Sequence, residues 1–166
     1  EPPYTTSIDL VNHIKQETPD SLNYLIKDMF ETITLYQNRV TNSKVEKLEN
    51  GKYKVDIEFE VSKYRNNEKG RMFYGNEERD SISYKTDKMK KPQYSVYLSD
   101  YIDIGIFGED NDENEIELYL KKHKISSINN KITLIVDKKP VEVGVDPYNK
   151  LIDTNSEDNR KKITSK

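Results

Sequence analysis

One dense acidic run and two histidines are the residues of this chain whose type could support metal binding or catalysis. The run Glu109-Asp110-Asn111-Asp112-Glu113-Asn114-Glu115 offers oxygen ligands for a hard cation, and Asp110, Asp112 and Asn114 take the alternate spacing with which a calcium loop begins. The sixth position of such a loop needs Gly for its sharp turn and holds Glu115. The twelfth needs a bidentate Glu and holds Lys121. The run therefore reads as a solvated hairpin loop between strands built on Ile106 and Ile116. A partial echo at Asp153-Thr154-Asn155-Ser156-Glu157 again lacks the Gly and the closing Glu. His13 and His123 sit in no His-Glu-x-x-His pattern, and nothing nearby completes a zinc triad, so both read as surface or boundary residues. With no cysteine there is no thiolate zinc site, no cysteine nucleophile and no disulfide. No Gly-x-Ser-x-Gly elbow, phosphate-binding loop or dinucleotide glycine pattern is present. Neither a catalytic centre nor a metal or other cofactor is expected in this chain.

Tyrosine is the remaining chemically distinctive residue, at 12 copies against no Trp. Tyr64, Tyr74, Tyr84, Tyr94, Tyr97 and Tyr101 cluster in the middle of the chain. Exposed on a sheet, such rings could stack on sugars or anchor a protein contact, which makes a glycan- or peptide-binding module the alternative functional reading. Tyrosine is also a good strand former, and packing at strand edges with wet hydroxyls is the favoured account of the cluster.

The 166 residues suit one ordinary domain, or a small domain with an appended segment. Basic and acidic residues, 27 and 30, are interleaved to a net charge of −3. No basic stripe emerges, which argues against a nucleic-acid partner. The longest apolar runs, such as Ile132–Val136, are far too short to span a bilayer, so this stretch does not itself insert into a membrane. The opening Glu1-Pro2-Pro3 reads as that of an excised or processed piece, without a secretory leader.

The elements that would position these residues divide into two kinds. Thr6 or Ser7 can cap a short helix with Ile8, Leu10, Val11 and Ile14 along one side. Thr18 as a cap, Pro19 at the first helical position and Asp20 in the first turn predict a second helix. Along it Leu22, Leu25, Ile26, Met29, Phe30 and Ile33 form an apolar stripe about three turns long. Two helices bury each other poorly, so the stripe predicts docking on a larger surface. That surface is either the following sheet or another domain.

After Tyr36 the period changes to two. Tyr53, Val55, Ile57, Phe59 and Val61 alternate with Lys54, Asp56, Glu58 and Glu60, which predicts a strand over 52–62 with one buried and one solvated face. Asn50-Gly51 predicts a tight turn, with Val40–Leu48 as the partner strand. Further strands are expected at Ile82–Tyr84, Tyr94–Leu98, Ile102–Ile106, Ile116–Leu120, Ile132–Val136 and Val141–Val145, with a long polar loop over 65–80. The predicted fold is mainly β: an antiparallel, immunoglobulin-like sandwich of roughly seven strands preceded by two short helices. The boundaries expected are 1–38 for the helical segment, 39–146 for the sandwich and 147–166 for a C-terminal hook and tail. Pro147 stops the last strand, and Tyr148, Leu151 and Ile152 form a small apolar hook with a short helix near Tyr148–Ile152. Residues 154–166 are polar enough to be disordered.

Two groups of stretches, one on each side of the predicted sandwich, carry a family resemblance. Pro3-Tyr4-Thr5-Thr6-Ser7, Pro19-Asp20-Ser21-Leu22 and Leu25-Ile26-Lys27-Asp28-Met29-Phe30-Glu31-Thr32-Ile33-Thr34-Leu35-Tyr36 resemble the end of a bacterial zinc aminopeptidase of the aminopeptidase N type. The likeness is closer to large bacterial membrane proteins that join an ABC-type transporter permease region to such a peptidase domain. Val136-Asp137-Lys138-Lys139-Pro140, Gly144–Asp153 and Asp158-Asn159 are similar to how those chains end. The resemblance implies a membrane-anchored parent, a zinc-dependent metallopeptidase whose hydrolase site carries a His-Glu-x-x-His helix and a downstream Glu. None of those ligands is here, so zinc is expected in the parent's catalytic domain and no catalytic role transfers to this chain. In typical members a β-sandwich precedes the helical C-terminal domain, whereas here helices precede the sandwich. The resemblance thus implies that residues 1–38 end a preceding helical domain, which is the expected partner. The expectation is a non-catalytic C-terminal accessory module, soluble, with docking residues Leu22, Leu25, Ile26, Met29, Phe30 and Ile33.

Overall fold

In the computed structural model, residues 4–66, 72–73 and 98–163 are described. They form two antiparallel sheets packed face to face, entered through a short helical segment. Helix α1 spans Ser7–Glu17 and opens with a reciprocal capping box in which the Thr6 hydroxyl accepts from the Asp9 N–H while the Asp9 carboxylate accepts from the Thr6 N–H. Thr18 does not start the second helix as expected. It ends the first, donating its hydroxyl to the Ile14 carbonyl.

The expected three-turn second helix is instead a run of short turns. A 3₁₀ turn, Asp20–Leu22, passes into α2, Asn23–Ile26, and then into a π turn, Lys27–Glu31. The Thr32 hydroxyl donates to the Lys27 carbonyl and closes the last turn, and from Ile33 the chain is extended. The β-branched run Thr32-Ile33-Thr34 favours a strand over another helical turn.

Strand β1 runs Ile33–Lys47, seven residues earlier than the expected start at Val40, and pairs with β2, Tyr53–Asn66. Gly51 supplies the left-handed conformation of the turn between them (φ 82°). The predicted alternation on β2 is observed, with Val55, Ile57, Phe59 and Val61 buried. A bulge between Val40 and Asn42 shifts the β1 register by one residue. On its free side β2 pairs with β3, Met72–Phe73, and with β6, Asn129–Val136. The second sheet has the order β5-β4-β7-β8, with β4 at Asp100–Glu109, β5 at Glu115–Ile125, β7 at Pro140–Val145 and β8 at Arg160–Lys162. The predicted strands Ile82–Tyr84 and Tyr94–Leu98 lie outside the described residues, apart from Leu98. So does most of the expected loop 65–80, of which the described residues are extended instead: Arg65 and Asn66 belong to β2 and Met72–Phe73 is β3.

The core lies between the sheets. Val55, Ile57, Phe59 and Val61 face Ile102, Ile104, Ile106, Val143 and Val145 across it. Each such side chain is worth about 1.5–3 kcal/mol when fully removed from water.

Strand β4 is buried on both faces rather than alternating. Its outward residues Asp103, Gly105 and Phe107 are covered by the returning C-terminal segment. This overturns the expected disorder of 154–166 over the described part, since Ser156–Asp158 forms a 3₁₀ turn and β8 pairs with β7. The short helix expected near Tyr148–Ile152 is absent. Asp146 and Asn149 take left-handed conformations (φ 45° and 51°) and the Asp146 carboxylate accepts from the N–H groups of Lys150 and Leu151, forming a tight turn instead.

The hook residues divide. Tyr148 sets its ring edge-on to Phe107 and donates to Glu117. Leu151 packs against the core. Ile152 keeps its side chain in solvent while its carbonyl accepts from the Tyr36 N–H. Asp153 bridges to β1, its carboxylate accepting the Asn38 N–H at 2.8 Å. The tail thus ties the outer face of one sheet to the edge of the other.

Two predictions follow from that cover. A Cβ on Gly144 would lie 2.8 Å from the Pro147 Cβ and 3.3 Å from the Arg160 Cγ. Gly144→Ala should cost about 1–3 kcal/mol in denaturant unfolding, through overpacking alone. Asp103 is nearly buried; burial acts to raise its carboxyl, but the hydrogen bonds from Lys150 and Lys122 outweigh it and leave it lowered. A carboxylate lowered in the folded state stabilises at pH values above the ordinary range and loses that contribution as pH falls through its folded value. Asp103→Asn should therefore flatten the acid limb of a stability-versus-pH curve below about pH 4.

Candidate functional site: a buried charged junction

The alternation that builds the core continues one step beyond its apolar residues. After Val61 the next inward position of β2 is Lys63, and before Ile102 the next inward position of β4 is Asp100. Both are buried, with the Lys63 side chain 1% exposed. Lys63 Nζ lies 3.1 Å from each Asp100 oxygen and 2.5 Å from Asp28 Oδ2. Asp28 comes from the π turn of the helical segment, and its other oxygen accepts from Arg65 Nη2 at 2.6 Å. Helical segment, first sheet and second sheet therefore meet at one lysine.

Aromatic and hydroxyl groups enclose this charge. The rings of Tyr24 and Tyr36 stand 5.3 and 5.7 Å from Lys63 Nζ, within cation–π range. The Tyr24 hydroxyl donates to the Ser99 carbonyl, one residue before Asp100. Thr32 and Thr34 share a hydrogen bond, and Thr34 reaches toward Asp28. Burial, reinforced by the carboxylates of Asp100 and Asp28, pushes the Tyr36 phenol far above its ordinary range, so it is a neutral hydrogen-bonding group at any physiological pH. The Tyr24 phenol is raised for the same reasons.

Two positive and two negative side chains balance here. Removing a charge of this kind from water costs several kcal/mol, and only close pairing offsets it. The arrangement can hold elements together and exclude water, and it places an amine against two carboxyl groups.

The predicted docking residues lie on the helical segment, except Ile33, which begins β1. Ile26 is buried, Leu22 and Leu25 are half-buried, and Met29, Phe30 and Ile33 are exposed, Met29 by 70%. They do not share one environment within the chain, because the π turn and the strand start rotate the last three away from the sheets. Ile8 and Leu10 of α1 are exposed as well.

The other candidates fall elsewhere. The acidic run forms the β4–β5 hairpin loop, where Asp110 accepts from the N–H groups of Asp112 and Asn114, and Glu113 adopts φ 63°. Those backbone bonds hold the Asp110 carboxyl below its usual range. No cluster of metal-ligating side chains occurs among the described residues. His13 is exposed on α1, and His123 on β5 shares a 2.7 Å hydrogen bond with the Tyr119 hydroxyl. Of the tyrosine cluster, Tyr64 is buried and Tyr101 exposed, so these two share no surface, and Tyr74, Tyr84, Tyr94 and Tyr97 lie outside the described residues. The sequence reading missed the junction itself, although extending the alternation by one residue at Val61 and at Ile102 would have exposed a charge pair on opposed core faces.

The class these features define is an antiparallel β-sandwich with a helical segment anchored to it by buried charges. Comparison with protein-family models, with curated proteins and with solved structures returns no match to this chain. No helix of the described residues is long and apolar enough to cross a membrane.

Asp28→Ala should leave Lys63 with one partner and Arg65 with no carboxylate from Asp28, costing about 3–5 kcal/mol in chemical denaturation. Replacing Lys63 and Asp100 together by Met and Leu should cost much less than the sum of the two single losses, a coupling that a double-mutant cycle measures.

Proposed function

We propose that this chain is a non-catalytic accessory module that docks on, and stabilises, a neighbouring domain through its helical segment. The observation that carries this reading is the division of labour within that segment. Asp28, Ile26 and Tyr24 clamp it to the sandwich, while Met29, Phe30 and Ile33, and separately Ile8 and Leu10 of α1, are exposed to solvent. Clamping fixes the geometry of the exposed residues, and a preorganised apolar surface loses little further entropy when a partner covers it.

The resemblance of the flanking stretches names that partner: the helical region of a zinc aminopeptidase of the aminopeptidase N type, in a membrane-anchored parent fused to an ABC-type permease. Zinc and the peptide-bond chemistry then belong to the parent's catalytic domain, and this chain contributes position and stability.

The test has two arms. The isolated chain, given zinc and aminoacyl-anilide substrates, should release no product; turnover that survives repurification overturns the non-catalytic reading. Binding of the parent's helical domain, supplied in trans and followed by calorimetry, should weaken at least tenfold in Met29→Glu and Phe30→Glu, because apolar anchors at an interface centre each contribute about 1.4 kcal/mol or more. Affinity unchanged by both substitutions overturns the docking reading.

A further inference from the structure

We propose that Lys63 and Asp100 condense into an intramolecular amide, an isopeptide crosslink joining β2 of one sheet to the start of β4 in the other, with Asp28 as the proton relay. The proposal is independent of the docking reading.

The geometry supplies what the reaction needs. Lys63 Nζ is 3.1 Å from both oxygens of Asp100, so the amine faces the carboxyl group as a whole. Asp28 meets the same nitrogen through a single oxygen at 2.5 Å, the geometry of a proton acceptor. Its second oxygen is held by Arg65, which fixes its orientation. Reacting groups held in contact behave as if at about 10⁵–10⁸ M, so a condensation that is negligible between free lysine and aspartate becomes accessible.

Burial supplies the direction. In water the separated ammonium and carboxylate are favoured over the amide because both ions are strongly hydrated. Here the side chains of Lys63, Asp28 and Asp100 are 1%, 6% and 4% exposed, and the rings of Tyr24 and Tyr36 wall the nitrogen. That hydration is lost, and the neutral amide no longer competes against it.

The step balances without any outside reagent. Nζ attacks the carboxyl carbon of Asp100; the nitrogen–carbon bond forms and one carbon–oxygen bond breaks. The ammonium begins with three protons and the amide keeps one. Asp28 passes the other two to the departing oxygen, which leaves as water. Nothing is oxidised or reduced. The charges balance on both sides of the reaction, since Lys63 and Asp100 neutralise each other and Asp28 remains paired with Arg65.

Intact-mass spectrometry of the whole purified chain tests this directly. The expected mass is one water, about 18 Da, below that of the sequence. Fragmentation of a protease digest should show a branched peptide joining the segments that contain Lys63 and Asp100. Lys63→Arg keeps a positive charge in the junction but supplies no amine nucleophile, and Asp28→Asn removes the relay, so both should run at full sequence mass. Wild-type chain at full sequence mass overturns the proposal whatever the stability of the variants. A lighter mass with only linear peptides, or with the branch at Asp28, overturns it equally.

Discussion

Lys63 places a charged amine on the inward face of β2, at the end of an otherwise apolar row. A lysine on the inward face of a central strand is tolerated only if its charge is met at close range, and two carboxylates meet it from two different parts of the chain. The second sheet must bring Asp100 to the end of the core. The helical segment must turn tightly enough to bring Asp28 over the same point. The π turn is the form that this requirement takes, because an ordinary helix continuing through Ile33 would have no reason to stop above β1. The extension of β1 back to Ile33 follows, since Tyr36 lies opposite Lys63 in the register and forms part of its enclosure.

The far side of the second sheet shows the same economy of surface. A sheet with one solvated face would carry exposed polar residues along the outside of β4, but there Asp103 is buried and Gly105 and Phe107 follow it. Gly105 has no room for a side chain beneath the Phe107 ring, and Gly144 has none beneath Pro147. Arg160 lies 4.2 Å above the Phe107 ring and pairs with Glu142 and Glu115. The tail therefore forms a partial third layer. Asp146 accepts the backbone bonds of its turn at the cost of a buried carboxylate, whose protonation burial favours. Asp153 extends the cover to the edge of β1.

These two devices meet at Tyr36 of β1, whose ring encloses Lys63 and whose backbone pairs with the tail, and they have a common consequence. Each ties the two sheets together by polar contacts outside the apolar core, one through side-chain charges and the other through the returning backbone. The helical segment cannot move relative to the sandwich without exposing Lys63 and depriving it of Asp28. This rigidity supports a docking role, and it also brings the amine and carboxyl groups of the junction into lasting contact.

Local residue pattern is sufficient for the layers. Alternation over Tyr53–Val61, Ile102–Ile106, Ile116–Leu120, Ile132–Val136 and Val141–Val145, with Asn50-Gly51 between the first two strands, is enough to specify an antiparallel sandwich, because a period of two with one apolar face has few other ways to be buried. Capping at Thr6 was equally local and equally legible. Where the polar residues go depends on contacts between distant segments. Helical spacing over Leu22–Ile33 looked like one amphipathic helix because periodicity counts apolar residues and is blind to Asp28, whose burial needs Lys63, 35 residues away in the chain. The tail looked disordered because composition averages over side chains, whereas its order comes from backbone pairing with β7 and β1. Charge pairs and strand pairing between distant segments depend on three-dimensional proximity, and no local pattern of residue types records it.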